Sequence, residues 1–297
     1  MNNKYTGIIV PLVTPMDKQQ NIDKEALTAL IDKLNHSGVH GLFAGGTIGE
    51  FPSLTTEELG QLCEILVENA RESLPVFIGA GSNNTKVAIK RIKILEDKGA
   101  DVAVVVNPFY ITLNDKSLVE HYTRIAESTE LPILIYNIPG YTGQEIPVPV
   151  ITKLDQNCDS IIGIKDSSGN MGYTNKIIRN TSEDFLYLQG LDNLLLPSLI
   201  IGAQGGVNGT ANIEPKFIVN LYESFQSGNL ERAKTIQLEK VDPLVEACSV
   251  GQFPDNFKKA SKSVGLDVGD ARLPVTPLSE EQISKQRKLL DKLDLIN

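Results

Sequence analysis

Short apolar runs alternate with longer amphipathic stretches along most of this chain, and that alternation constrains the fold more than any other feature. Candidate strands fall at residues 7–13, 41–44, 76–79, 102–106, 133–136, 161–165, 185–188 and 203–207. They recur at intervals of roughly 20–35 residues, the spacing of repeated strand–helix units. Several are apolar throughout rather than alternating, as strands buried on both faces of a parallel sheet must be. Eight strands, each followed by a helix, predict a closed (β/α)₈ barrel of the TIM type. An open doubly wound sheet is the competing arrangement, but no glycine-rich nucleotide turn follows the first strand.

The intervening segments carry helix punctuation. The first, over 23–37, stops at Gly38, which suits a left-handed cap. The second opens with Thr55 and Glu58 at capping-box spacing, and the third follows Asn83-Asn84 and stops at Gly99. Further helices are predicted near 117–128, 148–154, 173–179, 193–201 and 215–225. Gly228-Asn229 marks a break. Beyond it the pattern is helical only, over 230–248, 256–264 and 280–293. The chain therefore reads as a barrel domain over 1–228 with a C-terminal helical extension over 229–297.

Composition excludes several functions. A net charge of −9 and the absence of any basic block argue against a nucleic-acid partner. No apolar stretch approaches the ~20 residues that span a bilayer. The N-terminus runs into the first strand without a signal-peptide pattern. Cys63, Cys158 and Cys248 are odd in number and far apart, and read as reduced thiols of a cytoplasmic protein. His36, His40 and His121 show no metal-ligand spacing with them, so neither a metal nor another cofactor is expected.

The residues that carry chemistry stand at strand ends. Lys165 closes the apolar run 161–164, and Tyr136 closes 133–135 in the same way. Burial disfavours an ammonium ion, and a neutral lysine amine adds to ketones to form Schiff bases. In a (β/α)₈ barrel the carboxyl ends of the strands form the active face, so the two side chains share one candidate site. On the same face fall the turn Gly45-Gly46-Thr47-Ile48-Gly49-Glu50, the stretch Asn107-Pro108-Phe109-Tyr110, Gly190 after strand seven and Val207 at the end of strand eight. Each has a plain alternative: a lysine reaching solvent, a rim tyrosine, a tight turn. Asp166 and Glu50 read as structural carboxylates that accept hydrogen bonds.

Taken together and in order, these stretches resemble the pyruvate-dependent class I aldolase family of dihydrodipicolinate synthase, N-acetylneuraminate lyase and 2-keto-3-deoxygluconate aldolase. The resemblance covers nearly the whole chain. It implies that Lys165 forms the Schiff base with a 2-keto acid, without a cofactor, and that Tyr136 relays protons. It implies that Thr47 links Tyr136 to a tyrosine borrowed from a neighbouring subunit, matched by Tyr110. Gly46, Thr47 and Ile48 would hold the keto-acid carboxylate through backbone N–H groups, with Gly190 and Val207 lining the same site. The borrowed tyrosine implies an oligomer, and the family pattern a homotetramer built as a dimer of dimers.

Two positions depart from the synthases that the chain resembles. Tyr141 stands where those enzymes carry an arginine for the carboxylate of aspartate semialdehyde, and tyrosine offers no bidentate fork. Ile48 stands where a threonine is common. The stretches 131–146, 45–51 and 106–110 look most like 2-keto-3-deoxygluconate aldolases. The expected reaction is thus reversible cleavage of a 2-keto-3-deoxy sugar acid to pyruvate and an aldehyde. Dihydrodipicolinate synthesis (4-hydroxy-tetrahydrodipicolinate synthase) and N-acetylneuraminate cleavage are the alternatives within the class. A dehydratase or deaminase working through a related Schiff base, or a barrel that binds a keto acid without turning it over, are the alternatives outside it.

Overall fold

A computed structural model of the chain describes residues 3–296. Among these, eight parallel strands close into a barrel in sequence order, each hydrogen-bonded to the next and β8 to β1. The strands are β1 (Gly7–Pro11), β2 (Gly41–Ala44), β3 (Val76–Gly79), β4 (Val102–Val106), β5 (Ile133–Asn137), β6 (Ile161–Asp166), β7 (Leu186–Gln189) and β8 (Gly205–Val207). The (β/α)₈ expectation holds, with displaced ends. β1 stops at Pro11 rather than residue 13: the Leu12 N–H still reaches the Phe43 carbonyl, but the Val13 N–H turns to the Asn212 side-chain oxygen. β7 begins one residue late, since the Phe185 N–H turns back to the Ser182 carbonyl. β8 begins at Gly205, after the left-handed Gly202.

The helices around the barrel are α1 (Lys24–Asn35), α2 (Thr56–Asn69), α3 (Thr85–Asp97), α4 (Asp115–Ala126), the single turn α5 (Pro139–Thr142), α6 (Val148–Asn157), α7 (Met171–Asn180), α8 (Leu195–Ile200) and α9 (Pro215–Gln226). The capping box on α2 is formed: Thr55 Oγ1 accepts the Glu58 N–H and Glu58 accepts the Thr55 N–H. α5 was not expected from the sequence, where Pro139-Gly140 reads as a turn.

The barrel has two apolar layers. Ile9, Phe43, Phe77, Val104, Leu134 and Leu188 fill its interior. Residues of opposite parity, such as Ile8, Leu42, Ile78, Ile135 and Ile164, pack outward against the helices. One irregularity sets which side chains face inward. Ile133 pairs with Ile161 but Leu134 pairs with Gly163, so Ile162 is an extra residue in β6. The shift brings Tyr136 level with Lys165; on the other side β6 pairs regularly with β7, Lys165 level with Leu188. Without it, Ile164 would stand beside Tyr136.

The C-terminal segment is helical, as expected: α10 (Leu230–Ile236), α11 (Asp242–Cys248), α12 (Asp255–Ser263) and α13 (Glu280–Asp291). α10 and α11 are joined by a π-helical turn, Gln237–Val241, where the sequence suggested one continuous helix. Pro243 lies just beyond, and the wider turn accommodates its missing donor. Ile213, Leu244, Ala247, Ala260 and Leu290 form an apolar cluster of their own beneath these helices. No helix among the described residues is long and apolar enough to cross a membrane.

Candidate active site

The carboxyl end of the barrel opens into a cavity of about 300 Å³. Lys165 and Tyr136 reach it from neighbouring strands at the same level, both 4% exposed. The Lys165 ammonium nitrogen lies 3.9 Å from the centre of the Tyr136 ring and 5.3 Å from that of Phe43. The Tyr136 hydroxyl is 3.0 Å from Thr47 Oγ1, and either can donate. An amine, a phenol and an alcohol thus converge at the end of an apolar barrel interior. That set can add a nitrogen to a carbonyl and move the protons that the addition requires.

Small residues make room for the lysine. A Cβ built on Gly190 would stand 2.1 Å from Ser167 Oγ, 2.9 Å from the Asp166 carbonyl and 3.2 Å from Lys165 Cε. Beneath the site, Asp166 ties three strands together. Its carboxylate accepts from Asn137 Nδ2 at 2.7 Å, the Tyr187 hydroxyl at 2.6 Å, and the Ser168 hydroxyl and N–H at 2.8 and 3.1 Å. Burial, with the nearby Asp166 charge, pushes the Tyr187 phenol well above its ordinary value, so it serves as a donor. Glu50 is buried and paired with Lys258. Both carboxylates have the hydrogen-bonding surroundings that the sequence reading gave them.

Of the sequence-predicted residues, Lys165, Tyr136, Thr47, Ile48, Gly190 and Val207 all line the cavity. Gly46 does not line it. Its α-carbon faces the Phe43 ring, where a Cβ would come within 2.8 Å of Cε1. Tyr110 stands apart as well, 95% exposed and with a left-handed φ of 74°.

Sequence reasoning left other lining residues unassigned. Asp192 accepts the N–H groups of Gly209 and Thr210 and the Thr210 hydroxyl. Burial raises its carboxyl, opposed by those hydrogen bonds. Tyr141, 63% exposed, stands at the mouth beside Phe253, ring centres 5.9 Å apart, and Phe253 meets Phe257 edge-on at 6.0 Å. Burial also raises the Tyr141 phenol. With Val245 and Ser249, these two phenylalanines bring the C-terminal segment into the cavity wall. No local motif marks them, because their place depends on how the extension docks. Among the described residues lining the cavity, Lys165 is the only cationic side chain. No cluster of His, Cys, Asp or Glu that could hold a metal ion occurs among the described residues.

Comparison with known proteins gives this geometry its context. The profile of the Dihydrodipicolinate synthetase family matches residues 4–293. The chain belongs to that family. It is 38% identical over 293 residues to a 4-hydroxy-tetrahydrodipicolinate synthase of Methanosarcina barkeri, covering 98% of this chain and 99% of the relative. The dihydrodipicolinate synthase of Aquifex aeolicus superposes with a TM-score of 0.94 at 33% identity, over 98% and 99% of the two chains. A prophage protein of the family from E. coli K12, solved in complex with pyruvate, superposes with a TM-score of 0.93 at 29% identity, over 98% and 99%. Family membership makes this chain an enzyme of the pyruvate-dependent class I aldolase type.

Proposed function

We propose that Lys165 attacks the keto carbon of pyruvate and, with loss of water, carries it as a protonated Schiff base. The observation that supports this most directly is the buried lysine nitrogen 3.9 Å from the Tyr136 ring, with that phenol 3.0 Å from Thr47. The iminium draws electrons from the neighbouring carbon, which then forms or breaks a C–C bond to an aldehyde. Tyr136, hydrogen-bonded to Thr47, passes protons to and from the carbinolamine and the aldol oxygen. Backbone N–H groups of the turn at Thr47 and Ile48 receive the pyruvate carboxylate. Gly190 and Val207 leave room for the chain of the keto acid. No metal or separate cofactor takes part.

For the aldehyde, the relatives favour aspartate semialdehyde and hence 4-hydroxy-tetrahydrodipicolinate synthesis. That reading is better supported than the sugar-acid cleavage expected from the sequence. One observation keeps the second reading in play. Tyr141 occupies the mouth, and Lys165 is the only cation lining the cavity among the described residues, so a carboxylate-bearing aldehyde has no arginine to meet it. An unphosphorylated 2-keto-3-deoxy sugar acid, cleaved to pyruvate and glyceraldehyde, needs none.

Tyr110, exposed beside the 64% exposed Ile111, is offered to a second copy of the chain, in an assembly we propose to be a homotetramer. Sedimentation tests this: a fully active monomer would remove the role. The reaction itself is tested by borohydride reduction with pyruvate and peptide mass spectrometry. A pyruvyl adduct on Lys165 that disappears in Lys165→Ala is the expected result. The absence of any adduct in folded protein would leave a binding protein rather than an enzyme. Product analysis with aspartate semialdehyde and glyceraldehyde in parallel separates the two acceptors, and separates either from a dehydratase or deaminase.

A further inference from the structure

The turn that carries Thr47 and Ile48 is held from outside the barrel. It ends at Glu50, whose φ of 62° lies in the left-handed region that a branched or long side chain rarely adopts. Such a conformation persists only where its surroundings fix it. Within the turn, the Glu50 N–H reaches the Thr47 carbonyl at 3.1 Å and the Phe51 N–H reaches the Gly46 carbonyl at 3.2 Å. The Gly49 carbonyl accepts from Thr14 Oγ1 at 2.7 Å. The remaining anchors come from the far end of the sequence. Lys258, on α12, places its ammonium 2.6 Å from Glu50 Oε1, with the two side chains 0% and 5% exposed. The Arg272 backbone N–H donates to Glu50 Oε2 at 2.7 Å.

Both anchors are themselves fixed. Lys258 also donates to the Asp270 carbonyl at 2.9 Å. Arg272 grips Glu58 with two nitrogens and reaches the carbonyls of Ser53 and Gln20. Burial lowers the Lys258 ammonium's proton affinity, and the Glu50 carboxylate opposes that shift. One residue before Lys258, Phe257 lines the cavity. A Cβ on Gly209 would stand 3.2 Å from Phe257 Cε1 and 3.4 Å from Ile48 Cδ1, so the extension and the turn both pack around Gly209 in the cavity wall. A buried ion pair is a poor source of stability, because desolvating both charges offsets their attraction. Its value lies in geometry: each charge accepts only one placement of its partner.

We propose that Glu50 and Lys258 are positioning residues, through which the C-terminal extension holds the Thr47–Ile48 backbone N–H groups at the spacing that the pyruvate carboxylate needs. Neither touches the substrate. The inference rests on the proposal that pyruvate forms an adduct on Lys165 with its carboxylate at this turn. Loss of the pair therefore weakens pyruvate capture more than the chemistry that follows.

The test compares wild type, Lys258→Met, and the doubly neutral Glu50→Gln/Lys258→Met, which leaves no uncompensated buried charge. The readout is the pyruvate concentration that half-saturates borohydride trapping on Lys165, with melting curves alongside. In the folded variants this concentration is expected to rise about tenfold or more, with kcat at saturating pyruvate within about threefold of wild type. A half-saturation within twofold of wild type, even with a lowered melting temperature, overturns the proposal and leaves the pair purely structural. Failure of both variants to fold overturns it in the same sense. If wild type itself traps no pyruvate, the Schiff-base reading falls first, and this inference with it.

Discussion

Replacing Tyr136 by phenylalanine separates chemistry from folding at one atom. The ring remains, so the 3.9 Å approach of Lys165 and the packing of the buried side chain in the barrel interior are kept. What is lost is the hydroxyl and its 3.0 Å link to Thr47. Thr47 is only half-buried, so water replaces the missing partner. The expected stability cost is that of one ordinary hydrogen bond, about 0.5–1.5 kcal/mol. Removal of a proton relay lowers kcat by about 10²–10⁴-fold, or about 3–5 kcal/mol of barrier. The assay is steady-state condensation of pyruvate with the accepted aldehyde, with a urea titration in parallel. Thr47→Val, which keeps the volume, provides the internal check. If protons pass along the Thr47–Tyr136 link, the double variant is no slower than Tyr136→Phe alone. A kcat within threefold of wild type in Tyr136→Phe, or full additivity with Thr47→Val, refutes the relay.

Three further outcomes are expected. Gly190→Ala places a methyl 2.1 Å from Ser167 Oγ and 3.2 Å from Lys165 Cε, so pyruvate trapping should fall at least about tenfold and stability by about 1–3 kcal/mol, read by trapping kinetics and urea midpoints. Tyr141→Arg supplies a bidentate fork at the cavity mouth and should shift kcat/KM toward aspartate semialdehyde over glyceraldehyde by about tenfold or more. His121 on α4 is held by Thr85 Oγ1 at 2.9 Å, and burial depresses it from 6.5 to about 4. Its unfolded form therefore takes up the proton first as pH falls, and the stability it contributes above pH 6.5 is lost on the way down to about pH 4. At pH 4.5 the loss approaches about 2.5 kcal/mol, visible as a steeper pH dependence of the urea midpoint in wild type than in His121→Gln.

The barrel was legible because its signals are local. Apolar runs such as 102–106, the Thr55–Glu58 box and the glycines that stop helices each act within a few residues. Lys165 and Tyr136 were legible as strand ends for the same reason. Gly46 was assigned to the substrate because it belongs to the turn, yet its α-carbon is taken up by Phe43, a contact between residues on opposite sides of a tight bend. Phe253, Phe257 and the grip of Lys258 on Glu50 could not be read, since they bring together positions some 200 residues apart and depend on docking rather than on periodicity. Asp192 follows strand seven with no pattern to distinguish it from any turn aspartate.

The extra residue in β6 carries a consequence for how such chains are judged from their letters. Lys165 meets Tyr136 only because Ile162 is left out of the pairing with β5. A descendant that dropped this isoleucine would lose the bulge and still set its lysine beside the tyrosine, whereas one that kept it but paired every residue in turn would set Ile164 there, with all the reactive residues still present. In that second case the amine would be aimed into the packing between barrel and helices, and pyruvate would find an aliphatic side chain instead. Whether a relative has fallen silent is then a question of register along one strand, beyond the presence of the reactive residues.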